Sequence, residues 1–389
     1  MTATLTPTRV TPSAAQIQQT QQAIATYIQR IDTNPDRRVG AYPYCRLHAP
    51  GEAILGTIMI FHGFSAKPHQ MWRLTEYLFQ NGYNVYQPSI AGHVYLPPSK
   101  HWCQVDLKPE IADPLRAKVA QDPVLQLYLA NLASSETFTR PGYTQRLALM
   151  AKLKELDPRL EEIITTTQGS NDATFQKYFI SNHMEYLTDA RDRLQELDAM
   201  PGDIYTLGLS VGGAVALGLA ADRPDRIKKA IAYAPLLEIY GEDRRQYVNL
   251  AGPLDIKELG WDPNLRFPVG ALTAAARFGK SVVKNAAKLS NTPTFMVLTE
   301  NEDAADIQTN QDFFQAIGGT TKGHQSFLYP ASDLVPHPMV DPTEVSQGMS
   351  NRFWQTLYQE TYRFLTTGKA TLENLEKIQQ DSELAIVAS

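Results

Sequence analysis

Little in this sequence marks a secreted, membrane-spanning or nucleic-acid-binding chain. Its 389 residues include two cysteines, Cys45 and Cys103, too few for a disulfide framework, and both read as reduced structural residues. The opening Met-Thr-Ala-Thr-Leu-Thr-Pro-Thr lacks the apolar core of a secretion signal, and no later run approaches the roughly 20 apolar residues that a membrane-spanning helix needs. Basic and acidic residues number 36 and 41, for a formal net charge of -5. Neither sign forms a block, which speaks against a nucleic-acid-binding surface or an acidic solvating arm. No two histidines stand at ligand spacing on one helix, so neither a metal nor another cofactor is expected. These absences lead to the expectation of a cytoplasmic protein with no integral membrane segment; they give no indication of oligomeric state. The 43% hydrophobic content is enough for a large core.

The rhythm of the remaining residues is that of an α/β protein. Residues 1–12 read as a lead. Ser13-Ala14-Ala15-Gln16 reads as a capping box, opening a helix with Ile17, Ile24, Tyr27, Ile28 and Ile31 on one face. Segments 42–47 and 54–61 flank the turn Ala49-Pro50-Gly51-Glu52 as a hairpin would. A helix over 70–81 and a strand over 84–87 follow, implying a parallel sheet. The pattern breaks over 94–179, which reads as a helical cap insertion, and resumes with a helix at 185–197 and strands at 203–207, 228–233, 294–298 and 325–329. Residues 236–289 form a second irregular cap segment. The expected organisation is therefore an N-terminal extension (1–37), a core (38–93 and 180–367), the cap insertion (94–179) and a tail (368–389).

The chemistry concentrates at Gly208-Leu209-Ser210-Val211-Gly212-Gly213. Placed between an apolar strand and a small-residue helix, this pattern forces Ser210 into a sharp turn with its side chain at the end of the sheet. Gly208 and Gly212 leave room for the turn, and the helix beginning at Val211 turns its amide and dipole toward any oxyanion beside Ser210. A serine nucleophile needs a base, and in this arrangement acid and histidine follow the serine in the chain. Of the eight histidines only His324 and His337 do so. His324 precedes its strand, at the wrong end of a parallel sheet, and reads as a solvated loop residue. His337 follows the same strand, where the active end belongs. The acid is expected within Thr299-Glu300-Asn301-Glu302-Asp303-Ala304-Ala305-Asp306. Counting from Pro293 points to Glu302; Asp303 is the alternative, because aspartate's shorter arm fixes an imidazole more rigidly. Asp306 reads as a helix N-cap and Glu300 as a solvated face. A second oxyanion amide is expected from Phe64, with His62 bracing that loop.

His62-Gly63-Phe64-Ser65-Ala66-Lys67-Pro68, Gly82-Tyr83-Asn84-Val85 with Ala91-Gly92-His93, the Ser210 motif and Val335-Pro336-His337-Pro338 appear in one order. In these segments the chain resembles the bacterial α/β-hydrolases related to carboxylesterases and monoacylglycerol lipases, over roughly 42–365 apart from the insertions. The resemblance implies the α/β-hydrolase fold, a mostly parallel sheet flanked by helices. It also implies Ser210 as nucleophile, His337 as base, and Phe64 and Val211 as oxyanion amides. The expected reaction is hydrolysis of a small-molecule or lipid-like ester through an acyl-serine, without cofactor. An amidase, peptidase or thioesterase uses the same triad, and a non-catalytic binding protein on this fold is the reading from a different class. Three departures stand out. The acid position reads glutamate, the loop after 84–87 reads Gly92-His93-Val94 where the family has Gly-His-Gly, and the 94–179 insertion precedes the nucleophile strand instead of following the strand after it.

Overall fold

A computed structural model describes residues 8–134, 142–168, 172–240, 255–257 and 265–378. The chain divides into two compact units, Met1–Leu96 with Glu185–Tyr240 and Phe278–Ser389, and Pro97–Met184 with Gly241–Arg277.

Among the described residues of the first unit, seven strands form one sheet. They are β1 (Tyr44–Arg46), β2 (Thr57–Phe61), β3 (Asn84–Gln87), β4 (Ile204–Leu209), β5 (Ile227–Tyr233), β6 (Thr294–Thr299) and β7 (Gln325–Tyr329). Their spatial order is β1-β3-β2-β4-β5-β6-β7. Every pairing is parallel except that of β1 with β3. Every residue of β2, β3, β4 and β6 is buried, as expected of parallel strands covered on both faces. The covering helices include α1 (Ala14–Asp32), α2 (Trp72–Gln80), α3 (Glu185–Gln195), α4 (Val211–Asp222), α5 (Ile307–Ala316) and α6 (Trp354–Thr367).

The hairpin expected from 42–47 and 54–61 does not form. β1 pairs with β3 in the register Tyr44↔Gln87, and β2 lies between β3 and β4. Apolar on both faces, β2 belongs in the interior with parallel neighbours, whereas a hairpin would have held it beside the short, half-exposed β1. Ile54 instead exchanges two backbone hydrogen bonds with Val10, 2.9 and 2.8 Å long.

The N-terminal helix forms as its pattern suggests. Ser13 and Gln16 make both bonds of the capping box, and Ile17, Ile24, Tyr27 and Ile31 are buried. The Tyr27 ring lies 3.6 Å from the Arg193 guanidinium carbon. Arg193 pairs with Glu196 at 3.3 Å, and Glu196 accepts a 2.5 Å hydrogen bond from Tyr86. This buried polar cluster ties α1 to the segment just before β4.

The second unit holds the helices Pro109–Ala120, Pro123–Ser134, Tyr143–Leu156, Leu160–Gln168 and Asp172–Tyr178. It also contains two short antiparallel ribbons that periodicity did not reveal, Val105–Leu107 with Phe179–Ser181 and Asp255–Lys257 with Arg266–Pro268. Three-residue strands are too short to show a period. Arg277 stacks over Phe175 at 3.9 Å and reaches Asp172 at 2.6 Å. Parts of the expected cap segments, 135–141, 169–171, 241–254 and 258–264, lie outside the described residues, as do 1–7 of the lead and 379–389 of the tail.

His324 is not a solvated loop residue. It is 1% exposed; its Nδ1 accepts from the Thr294 amide at 3.2 Å and its Nε2 faces the Ile317 carbonyl at 3.0 Å. A neutral imidazole meets both demands, one nitrogen accepting and the other donating, and burial lowers its pKa. It closes the loop between α5 and β7 onto the start of β6. Replacing His324 with Phe leaves a buried amide and a buried carbonyl without partners. The expected cost is about 1–3 kcal/mol, read as a lower urea midpoint at unchanged slope.

Candidate active site

Ser210 directly follows β4 and immediately precedes α4. Its backbone angles, φ 59° and ψ -122°, lie in a region that L-residues rarely adopt, at an expected cost of order 1–3 kcal/mol. Backbone bonds on both sides hold it there. Its amide donates to the Tyr233 carbonyl at 2.9 Å, and its own carbonyl accepts from Leu236 at 2.9 Å and Ala214 at 3.1 Å. The turn is possible because α4 rests directly on strand backbone. A Cβ added to Gly208 would lie 2.0 Å from the Gly212 carbonyl oxygen, and one on Gly212 would lie 2.1 Å from that of Phe61. Val211 opens the helix, whose first amides have no intrahelical partner.

Beside Ser210 runs the loop after β2. A Cβ on Gly63 would lie 3.8 Å from Ser210 Cβ. His62 is buried; its Nδ1 lies 2.8 Å from the Gly63 carbonyl and its Nε2 accepts from the Ile90 amide at 3.2 Å. Burial pulls its pKa down to about 3, so it is a neutral brace. The Ala66 amide also donates to the Gly63 carbonyl, at 3.2 Å. With that oxygen held, the trans peptide turns the Phe64 N–H to its opposite side. Arg38, also buried, donates to the Ala66 and Ser65 carbonyls at 2.9 and 2.7 Å, and the Phe64 ring packs edge-on against His93 at 5.5 Å.

The loops after β6 and β7 carry the acidic and imidazole groups. Asn301 and Pro336 form a parallel bridge, and Thr299 Oγ1 donates to the Val335 carbonyl at 2.5 Å. These links set Glu302 beside His337, with Oε1 2.6 Å from Nδ1. The same oxygen accepts from the amides of Asp303, Ala304 and Ala305 at 3.1, 2.9 and 2.9 Å. Asp303 is exposed and turns elsewhere, its Oδ2 accepting from Ser346 Oγ at 2.8 Å and Gln347 Nε2 at 3.2 Å. Burial opposes a charge on either member of the Glu302–His337 pair, but their close mutual attraction outweighs it. Glu302 is held below the ordinary carboxylate range, and His337, with Asp303 and Glu344 adding to the field, is raised above 6.5. Glu300 is exposed and accepts from the Ala331 amide at 2.8 Å, while Asp306 caps α5 through the Thr309 amide at 2.7 Å.

Among the described residues, this is also where three possible metal donors converge, with one atom each of Glu302, Asp303 and His337 within 4.8 Å of one another. Both carboxylates also accept hydrogen bonds from protein donors. Sequence reasoning overlooked Arg38 and Gln70. Gln70 is buried and accepts from the Gly63 amide at 2.8 Å. Neither belongs to a recognisable motif; an arginine before a buried loop and a glutamine in a helix are ordinary residues until the fold brings them together. Ser210, Glu302 and His337 follow the carboxyl ends of the parallel strands β4, β6 and β7, the edge where ligands bind in open α/β sheets.

No protein-family model matches the chain, and no curated protein matches it. Solved structures do. One, from work on LipS and LipT, two metagenome-derived lipolytic enzymes, superposes with a TM-score of 0.52 at 14% identity, covering 84% of this chain and 98% of the other. A soluble variant of monoglyceride lipase from Saccharomyces cerevisiae, in complex with a substrate analog, gives 0.48 at 13% identity, covering 87% and 98%. Among the described residues no helix is long and apolar enough to cross a membrane. Strand order, parallel register and the first of these superpositions agree on the architecture: the chain has the α/β-hydrolase fold.

Proposed function

We propose that this protein is a serine hydrolase that cleaves carboxylic esters. The observation that carries the proposal is the 2.6 Å contact of Glu302 with His337 on the sheet edge where the strained Ser210 turn stands. A buried carboxylate on imidazole Nδ1 selects the tautomer whose Nε2 can accept a proton, and it stabilises the imidazolium once formed. In the proposed cycle His337 Nε2 takes the Ser210 proton as Oγ attacks the carbonyl carbon. The amides of Phe64 and Val211 bind the oxyanion. His337 then returns the proton to the departing alcohol, and water attacks the acyl-serine by the same path. In this assignment Glu302 is the acid and Asp303 is not. Esters are preferred over amides because the sequence resembles carboxylesterases and lipases.

A fluorophosphonate probe and p-nitrophenyl esters of graded chain length, set against aminoacyl anilides, test the reading. Labelling is expected at Ser210 and absent in Ser210→Ala, with esters turned over faster. An unlabelled folded protein would count against the nucleophile, and faster anilide cleavage against the ester.

The two carboxylates separate by mutation. Glu302→Ala is expected to lower kcat by about 10³- to 10⁴-fold, the scale seen when a triad acid is lost. Asp303→Asn is expected to stay within about threefold, its charge being exposed and screened. The reverse ranking in steady-state kinetics would move the acid to Asp303.

The pH profile follows from the raised pKa of His337. Only the neutral imidazole accepts the serine proton, so kcat/KM rises with pH through an acid limb centred above 6.5. In Glu302→Gln burial remains while the attraction goes, and the limb moves to lower pH. For stability the sign is opposite. The Glu302–imidazolium attraction contributes fully below the unfolded-state pKa and is lost as pH rises through the folded one.

A further inference from the structure

The contacts of Gln70 go beyond a helix-start residue. Its side-chain oxygen accepts from the Gly63 amide at 2.8 Å, and its nitrogen donates to Glu344 Oε2 at 3.0 Å. Those two demands fix which way the amide points, since an N–H requires an acceptor and a carboxylate requires a donor. Gly63 lies against Ser210 and carries the peptide that presents the Phe64 N–H. Glu344 contributes to the field that raises His337. The segment containing Glu344 makes two further ties. Asp341 pairs with Arg73 at 3.4 Å, and Ser346 and Gln347 hold Asp303, next to Glu302. Residues 341–347 thus link the loops after β2, β6 and β7, and Gln70 is the link to the first.

We propose that Gln70 is a positioning residue, locking the Gly63–Phe64 peptide beside Ser210 and coupling it through Glu344 to the His337 loop. The proposal rests on the serine-hydrolase reading for its kinetic consequence, though not for its structural one. Two features make glutamine specific here. Leucine fills the same volume but leaves the Gly63 N–H buried without an acceptor. Glutamate accepts from Gly63 but sets a second carboxylate against Glu344. Exchanging the pair, Gln70→Glu with Glu344→Gln, restores one acceptor and one donor in the same order.

The test compares the wild-type chain, Gln70→Leu, Gln70→Glu and the exchange Q70E/E344Q. Turnover of p-nitrophenyl butyrate and backbone amide exchange over residues 62–66 are followed in each. Both single variants are expected to lose about 10- to 100-fold in kcat, the scale of a displaced catalytic group, with KM within about twofold. The exchange variant should recover to within about fivefold of wild type. Amide exchange over 62–66 should quicken about tenfold in Gln70→Leu, as local opening becomes easier, and slow again in the exchange variant. Wild-type kcat in Gln70→Leu, a loss confined to KM, or no recovery in Q70E/E344Q would overturn the proposal. If Gln70→Leu does not fold, recovery from Gln70→Glu to the exchange variant decides alone. If the wild-type chain neither turns over ester nor labels at Ser210, the hydrolase reading fails, and amide exchange still judges the lock.

Discussion

The architecture turns on one close approach, the start of α4 lying on bare backbone of β4 and β2. Two carbonyl oxygens, those of Gly212 and Phe61, occupy the space where side chains of Gly208 and Gly212 would begin. Ser210 cannot relax from its unfavourable angles without lifting the helix off the sheet. The strain is small against the burial of α4, in which every residue from Val211 to Ala221 is buried, and so the turn persists. The same approach draws the loop after β2 against the serine, so neighbours 147 positions apart in the chain are set by one contact.

Where local chemistry dictated structure, the sequence could be read. The capping box at Ser13, the Asp306 cap, the span of β7 and the glycine-bracketed turn at Ser210 each depend on a few adjacent residues, and each forms. The expected hairpin failed because turn residues at 49–52 say that the chain reverses, not which strand it then pairs with. His324 was misread for a related reason. Its position before β7 is visible in the sequence, but its burial depends on the Ile317 carbonyl and the Thr294 amide arriving from two other elements. Counting from Pro293 favoured Glu302, but aspartate's shorter arm kept Asp303 open, since both follow β6 by a few residues. The Asn301–Pro336 bridge decides which of them meets His337.

Among the enclosed histidines, the partner decides whether the lowering effect of burial prevails or is outweighed. His62, His93 and His324 are buried, and burial lowers the pKa of each. Backbone groups meet both nitrogens of His62 and His324 and Nδ1 of His93, and a neutral ring suits a carbonyl on one side and an amide on the other. His337, its side chain 12% exposed, is raised instead, because its partner is a carboxylate. One residue type therefore provides three braces and one group able to change charge. The raised pKa of His337 comes from the carboxylate its ring faces, which outweighs burial.

Glutamate at 302 follows from the geometry of its own turn. Its carboxylate folds back so that Oε1 collects three consecutive amides, those of residues 303–305, and still meets the imidazole. Charge-assisted bonds from amides fixed by the backbone keep that oxygen in place before the imidazole becomes charged, which is the preorganisation an ion pair in a low-dielectric site requires. The extra methylene that makes glutamate less rigid in isolation is what lets it fold back onto its own turn. With that place filled, the adjacent Asp303 is left on the outside, where its carboxylate anchors Ser346 and Gln347. Neighbouring carboxylates are thereby divided between holding the imidazole and holding the segment that joins the three loops.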